Sequence, residues 1–217
     1  MVAVIGALMA MLLPLAARAR TAAHKTSCAN NLRQIGTAFA LYANAHDDFY
    51  PCAEDPISAS PFYWLWMGRG WRGFVAPFLS QKIDPTNPSV LYCKSDEQAD
   101  VKYESTSYSY SMCFYHSREQ IDAMTATSAT YSSPQPSIGQ RPSGVAWPAH
   151  KVLAGEWTSN HARVAGDKGW WTWKGERNYL FADGHAAFLA AQLILAANDG
   201  LPNPCLTRSG IQGKDID

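Results

Sequence analysis

The residues best suited to chemistry by type and spacing are Asp183 and His185, in the segment NYLFADGHAAFL from residue 178 to 189. A carboxylate and an imidazole this close could bind a metal ion or act as a catalytic pair. The motif lacks the third and fourth ligands that a metal site requires, so both residues are weak metal candidates. Asp-Gly between two apolar runs is instead a strong hairpin signal, because a type I′ turn needs positive φ at both central positions. We predict a turn centred on Asp183 and Gly184, with no metal or catalytic role.

The five cysteines show no metal-binding spacing. They include no C-x-x-C and no paired Cys/His motif, which makes zinc a weak interpretation. In an oxidising compartment the chain could form two disulfides and keep one thiol. We predict a disulfide between Cys93 and Cys113, on the expectation that they flank neighbouring strands. The cysteines are Cys28, Cys52, Cys93, Cys113 and Cys205.

No catalytic signature is present in the sequence. G-x-S-x-G, H-E-x-x-H, a Walker glycine loop and a dinucleotide fingerprint are all missing. Adjacent acids such as Asp47 and Asp48 are typical of solvated turns. Lys plus Arg and Asp plus Glu balance at 18 each, so no basic field attracts nucleic acid. We expect no enzymatic activity, no cofactor and no nucleic-acid partner.

The N-terminal segment from Met1 to Ala17 carries no charge, and Arg18 and Arg20 follow it at once. As an α-helix it would span about 26 Å, close to the ~30 Å of a bilayer core. A signal peptide would carry its basic residues before the apolar run, and a buried core helix would contain some polar residues. We predict that residues 1–17 form a transmembrane segment.

The helical pattern continues beyond the charges. Apolar residues recur at spacings of four and three, which places them on one face of an α-helix. The sequence predicts one helix over residues 1–48, kinked or locally melted at Pro14 and ended before Pro51. Its second half would lay an apolar stripe on the body of the protein. The stripe consists of Cys28, Leu32, Ile35, Phe39 and Tyr42.

The body, residues 49–217, is predicted to be mainly β. Two strands are expected between residues 90 and 115, a third at HKVLAGEW and a hairpin at GERNYLFADGHAAFL. A short helix is expected over Trp71–Leu79, another after the hairpin, and a loop over residues 125–143. The sequence therefore predicts an α+β fold, in which the long helix packs on a small antiparallel sheet with long loops.

The N-terminal helix also carries a family resemblance. VIGALMAMLLPLAARARTAAHKTSCANNLRQIGTAFALYANAHDDFYP resembles the first helix of type IV pilin-like proteins, in particular the G-type pseudopilins of type II secretion. LYCKSDE, SYSYSM and NYLFADGH resemble later blocks of that family, which end in a histidine, nine residues and Asp-Gly. Here Trp173 stands in place of that histidine. The family's basic leader and early Glu have no counterpart in the printed sequence, so either the true start lies upstream or the leader has been lost.

The resemblance implies a structural subunit of a type II secretion or type IV pilus-like filament. It implies a single span in the inner membrane, a periplasmic body, and assembly with copies of the chain and other pseudopilins. It also implies a possible calcium ion, whose ligands it does not place on this chain. The residues implied in assembly are Val2, Ile5, Gly6, Leu8, Leu12, Leu13 and Pro14.

Two alternatives remain open. The first is a membrane-anchored binding module that stacks sugar rings or a secreted substrate on its tryptophans. The second is an anchored hydrolase that uses Asp183 and His185, although no nucleophile with a suitable base supports it. The tryptophans form two groups, Trp64, Trp66 and Trp71, and Trp147, Trp157, Trp170, Trp171 and Trp173.

Overall fold

The computed structural model describes residues 2–52, 68–79, 89–97, 106–124 and 137–217, with backbone only for residues 2–11, 68 and 69. Two of the predicted features lie outside this part of the chain. They are the pair Trp64 and Trp66 and most of the loop predicted over residues 125–143.

The N-terminal helix, α1, runs without interruption from Val2 to Ala45 and includes Pro14. The chain leaves the helix through Asp47 and Asp48, both with positive φ, which turns the backbone toward the body. All five residues of the predicted stripe are buried, with exposed fractions between 0% and 7%. The predicted helix and its buried face are confirmed, but the helix is not melted at Pro14.

In the described part of the chain, two shorter α-helices and seven 3₁₀ turns accompany α1. Helix α2 spans Gly68–Val75, and helix α3 spans Arg118–Ala123 and begins with a capping box between Ser117 and Gln120. The 3₁₀ turns are Ala76–Phe78, Met112–Phe114, Pro142–Gly144, Pro148–His150, Ala191–Leu193, Pro204–Leu206 and Gly210–Gln212. The helix predicted after the hairpin is therefore only the short turn at Ala191–Leu193.

Four antiparallel strands form one sheet in the order β1-β2-β3-β4. The strands are β1 Tyr108–Tyr110, β2 Val152–Glu156, β3 Glu176–Phe181 and β4 Ala186–Ala190. Strand β2 carries a register irregularity between Val152 and Ala154. The antiparallel sheet confirms the predicted α+β class.

The strand predicted at VLYCKSDE is absent. Residues 90–97 form successive turns, and Ser107 ties them to the sheet by accepting a hydrogen bond from Cys93 N and donating its own N–H to Leu91 O. Strand β1 pairs with β2 instead, with Tyr108 opposite Glu156. Alternating residues predicted the strand, but in a segment this short the turn hydrogen bonds decide the backbone conformation.

Helix α1 packs across one face of the sheet. A Cβ placed on Gly36 would lie 3.0 Å from Leu180 Cδ1, so the helix backbone lies directly on β3. The Phe39 ring stacks on Tyr110 of β1 with centroids 4.8 Å apart and on Trp71 of α2 at 5.4 Å. These contacts form the centre of the core.

The opposite face of the sheet is buried as well. Tyr179 lies against Trp170 with ring centroids 6.4 Å apart, and Arg177 forms a 2.5 Å ion pair with Asp167. The C-terminal segment also contributes, since Pro204 O accepts a 2.6 Å hydrogen bond from Ser111. Burial on both faces explains why every residue of β2 is buried.

Candidate functional site

Four side chains with metal-binding chemistry meet where α1 crosses the sheet. Cys28 comes from α1, Cys93 from the turns at residues 90–97, Glu156 from the end of β2 and His161 from the loop after β2. One ligand-type atom from each residue lies within 4.8 Å of the other three. Among the residues that the structure describes, this is the one such group of three or more Cys, His, Asp and Glu side chains.

The two sulfurs are joined as a disulfide between Cys28 and Cys93, with a Cα separation of 5.2 Å. The predicted Cys93–Cys113 disulfide is wrong. Cys93 lies in a turn against the helix rather than on a strand, so its partner is a helical residue. Cys113 is a buried free thiol in the 3₁₀ turn Met112–Phe114, and its Sγ lies 3.5 Å from Pro204 O and from Cys205 O.

Glu156 is a fully buried carboxylate. Its Oε2 accepts a 2.8 Å hydrogen bond from Asn178 N, and its Oε1 accepts one of 3.1 Å from Asn178 Nδ2. Oε1 also lies 2.8 Å from His161 Nε2. A buried carboxylate is tolerated only when its lone pairs are satisfied, and Asn178 and His161 together provide this.

His161 stands between the carboxylate and the disulfide. Its side chain is 2% exposed, and Nε2 lies 3.5 Å from Cys93 Sγ as well as 2.8 Å from Glu156 Oε1. The same residue lines an open surface groove together with Lys25, Glu176 and Phe188. His161 thus contributes its imidazole to the cluster and also lines the adjacent groove as a residue.

The arrangement supports two kinds of chemistry. As a disulfide, Cys28 and Cys93 tie α1 to the body of the protein. As thiolates, they would join a carboxylate and an imidazole in a set of four ligand types that bind zinc. Sequence analysis missed this set, because ligands at positions 28, 93, 156 and 161 form no short motif.

A family comparison matches residues 17–165 of the chain, which is more than half its length, to the family described as "Protein of unknown function (DUF1559)". The chain belongs to this family. DUF1559 is associated with pilin-like and pseudopilin-like proteins. All four residues of the cluster lie within the matched range. No curated protein and no solved structure matches the chain significantly.

The Asp-Gly hairpin of this DUF1559 protein lies beyond the matched range. Gly184 N donates to Phe181 O at 2.9 Å, and Phe181 N donates to His185 O at 2.9 Å. The central turn residues are therefore Ala182 and Asp183, and Gly184 follows with φ +90°. The predicted type I′ turn is wrong in this detail. A type I turn followed by a left-handed glycine closes a slightly longer loop.

Asp183 and His185 form a surface pair on this hairpin. Asp183 Oδ1 lies 2.6 Å from His185 Nδ1 and accepts a 3.0 Å hydrogen bond from His185 N. The imidazole also stacks on Phe181, with ring centroids 4.4 Å apart. Both side chains are more than a third exposed, and neither belongs to the metal-type group found in the described residues.

The assembly residues implied by the pseudopilin resemblance lie at the start of α1. Val2, Ile5, Gly6 and Leu8 are helical in their backbone, and the described side chains Leu12, Leu13 and Pro14 are exposed. Across the described residues, none of the helices meets the length and apolarity needed for a membrane span. The predicted span over residues 1–17 stays a prediction, because side chains before Leu12 lie outside the described part.

The tryptophans divide into packed and exposed sets. Trp71 and Trp170 are fully buried, and Trp157 packs edge to face on Trp171 with centroids 4.9 Å apart. Trp147 and Trp173 are 49% and 37% exposed. Lys214 Nζ lies 4.4 Å from the centre of the Trp147 ring. Of the six tryptophans that the structure describes, four therefore serve in packing.

Proposed function

We propose that this DUF1559 protein is a non-enzymatic, pseudopilin-like subunit that assembles with copies of itself and with other pseudopilins through α1. The filament would be of the type II secretion or type IV pilus kind. Before assembly, α1 would hold the subunit in the inner membrane, with the body on the periplasmic side. Family membership supports the broader pilin-like character of the chain.

The projecting end of α1 is the observation that carries the proposal. Residues 12–23 are all exposed, and Cys28 is the first buried residue among the described side chains of the helix. The apolar side chains Leu12, Leu13 and Leu15 are 57%, 68% and 64% exposed. Several exposed apolar side chains on a projecting helix indicate a surface that is buried in the functional state, against lipid or a neighbouring helix.

The second half of α1 fixes the direction of the projecting end. Its apolar stripe is buried on the sheet, and the disulfide at Cys28 ties it to the body just after the exposed stretch ends. The projecting end is thus a continuous extension of an anchored helix. In a bilayer, small residues such as Gly6, Ala7 and Ala10 would let such helices approach closely, since packing replaces hydrophobic exclusion there.

Site-specific photo-crosslinking in membranes tests the proposal. A benzophenone amino acid replaces Leu13 in the projecting helix or, as a control, Leu193 in the body, which is 58% exposed. The Leu13 probe is expected to yield a ladder of crosslinked copies. The Leu193 probe is expected to yield only the monomer. Equal crosslinking from both positions, or none from Leu13, would contradict assembly through α1.

The alternative, an anchored binding module, draws its support within the described residues from the exposed rings of Trp147 and Trp173. Aromatic stacking on a sugar would quench their fluorescence. Titration of the chain with oligosaccharides, repeated on Trp147→Ala and Trp173→Ala, tests it. A saturable signal lost in either variant would favour the binding module over the filament subunit.

A further inference from the structure

We propose that the chain binds one Zn²⁺ ion between Cys28, Cys93, Glu156 and His161 when the two cysteines are reduced. The site is independent of the filament function, since all four ligands lie within a single subunit. The ion would replace the disulfide as the link between α1 and the turns at residues 90–97, and it would also link both to the end of β2.

The four groups match the ligand chemistry of zinc. Structural zinc sites are tetrahedral and are built from thiolates, imidazoles and sometimes a carboxylate. At Zn–S distances of about 2.3 Å and Zn–N or Zn–O distances of about 2.0 Å, the ligand atoms would lie roughly 3.3 to 3.8 Å apart. The ligand-type atoms here already lie within 4.8 Å of one another. On reduction the two bonded sulfurs would move apart, and the carboxylate and imidazole would close in by roughly 1 Å, to reach the spacing around an ion.

The charge around Glu156 also favours a cation. Its carboxylate is fully buried, and among the described residues its one ion-pair partner is His161, which is charged only when protonated. The other buried acid among the described residues, Asp215, faces Lys151, and the partly buried Asp167 faces Arg177. A divalent ion between two thiolates, this carboxylate and a neutral imidazole would neutralise most of the buried charge.

A second layer of contacts is already in place. Asn178 donates two hydrogen bonds to Glu156 from its backbone N–H and its Nδ2, which fixes the orientation of the carboxylate. Metal ligands are commonly oriented in this way, and removal of such partners weakens binding by about 10- to 100-fold. His161 also lines the open groove beside α1, so the cluster lies next to a surface that solvent reaches.

The disulfide and the ion exclude one another. Zinc binds the thiolate, and sulfurs joined in a disulfide have no thiolate to offer. The oxidised chain is therefore expected to lack the site and the reduced chain to have it. The redox state of Cys28 and Cys93 would decide which tie holds α1 to the body.

Metal binding to the full chain in detergent tests the proposal directly. The chain is reduced with a phosphine, freed of metal, and titrated anaerobically with Zn²⁺ against a chromophoric chelator, and separately with Co²⁺ as a spectroscopic probe. We expect one equivalent of tightly bound Zn²⁺. We also expect a Co²⁺ spectrum with sulfur charge-transfer bands and the intense d–d bands of a tetrahedral ion. The oxidised chain should show neither.

Variants assign the ligands. His161→Ala and Glu156→Gln should each weaken Zn²⁺ binding by about tenfold or more, and Cys93→Ser should diminish the sulfur charge-transfer bands. His185→Ala and Cys52→Ser, which alter a histidine and a cysteine outside the cluster, should leave the affinity unchanged.

Three outcomes would overturn the proposal. In the first, the reduced chain binds no stoichiometric Zn²⁺, whether it stays folded or unfolds. In the second, His161→Ala and Glu156→Gln both leave the Zn²⁺ affinity unchanged, and in the third, His185→Ala abolishes it. Each is measured on the isolated subunit, so the proposal can fail without any bearing on filament assembly.

Discussion

Asp215 and Lys151 form a buried ion pair that joins the C-terminal segment to the start of β2. Asp215 Oδ2 lies 3.1 Å from Lys151 Nζ and accepts a 2.7 Å hydrogen bond from Val152 N, and Lys151 Nζ also donates to Thr207 Oγ1. Both charged side chains are 3% exposed or less. Burial opposes the charge of Lys151, but the nearby carboxylate more than offsets this and raises the pKa of the lysine.

Asp215→Ala is expected to destabilise the chain by about 3 to 5 kcal/mol, because it leaves a buried ammonium without its counter-ion. Urea unfolding of the full chain in mild detergent measures the change. Glu97→Ala is the matched control, since it breaks a 2.7 Å ion pair with Arg163 in which both side chains are more than 60% exposed. That pair should contribute less than about 1 kcal/mol. Equal decreases in the free energy of unfolding of the two variants would contradict the structural role of Asp215.

The Cys28–Cys93 disulfide is expected to contribute about 4 kcal/mol, because it closes a loop with a sequence separation of 65 residues and so restricts the unfolded chain. Unfolding is compared with and without reductant, in the presence of a chelator so that no metal replaces the bond. The double variant Cys28→Ala with Cys93→Ala is the control and should not respond to reductant. A wild-type chain equally indifferent to reductant would show that these cysteines are not paired.

The inner stripe of α1 is tested by one buried and one exposed position on the same helix. Ile35 is fully buried, whereas Leu41 is 45% exposed. Ile35→Asp is expected to cost about 4 kcal/mol or more, because it places an unpaired charge in the core. Leu41→Asp should cost less than about 1 kcal/mol. Thermal unfolding followed by circular dichroism separates them, and similar midpoints would mean that the helix does not dock by this face.

Gly184 and Gly73 test the hairpin turn. A Cβ on either glycine would meet no atom within 4 Å, but Gly184 has φ +90°, whereas Gly73 lies within α2. Gly184→Ala should cost about 1 to 2 kcal/mol through backbone strain alone. Gly73→Ala should stabilise the chain by up to about 1 kcal/mol. Chemical denaturation of both variants checks the opposite signs.

Asp183→Asn completes that test, since the amide retains an oxygen that can accept from His185 N. The loss should stay below about 1 kcal/mol and should not depend on chelator, because the pair with His185 is exposed. A large loss that disappears when chelator is added to both proteins would instead identify the hairpin as a metal site.

Alkaline pH is expected to weaken the fold through buried tyrosines. Burial raises the pKa of Tyr179 from 10.0 to about 12. The unfolded chain loses this proton near pH 10 while the folded chain keeps it. The contribution of Tyr179 to the free energy of unfolding is therefore fully present below pH 10. It falls between pH 10 and about 12, by about 1.4 kcal/mol per pH unit.

Urea unfolding at several pH values on both sides of pH 10 measures this slope. Tyr108 and Tyr110 also have pKa values raised by burial, so Tyr179→Phe should make the slope shallower without abolishing it. An unchanged slope would exclude Tyr179 as a contributor.

Several features of the protein follow from the sequence alone, because they depend on local periodicity. The spacing of Leu32, Ile35 and Phe39 defines one face of a helix whatever that face packs against, and the structure buries all three. Asp183 and Gly184 between two apolar runs similarly require a reversal of the chain. The α+β class follows from one long helix succeeded by short strands and turns.

The candidate metal site was decided by tertiary structure. Cys28 and Cys93 meet because residues 90–97 form turns against α1, and alternating residues predicted a strand there instead. Glu156 faces these sulfurs because β2 ends beneath that point of the helix, and His161 reaches it from the next loop. Such long-range contacts depend on how the loops close and on which face of a strand is buried. Neither produces a periodic pattern in the sequence.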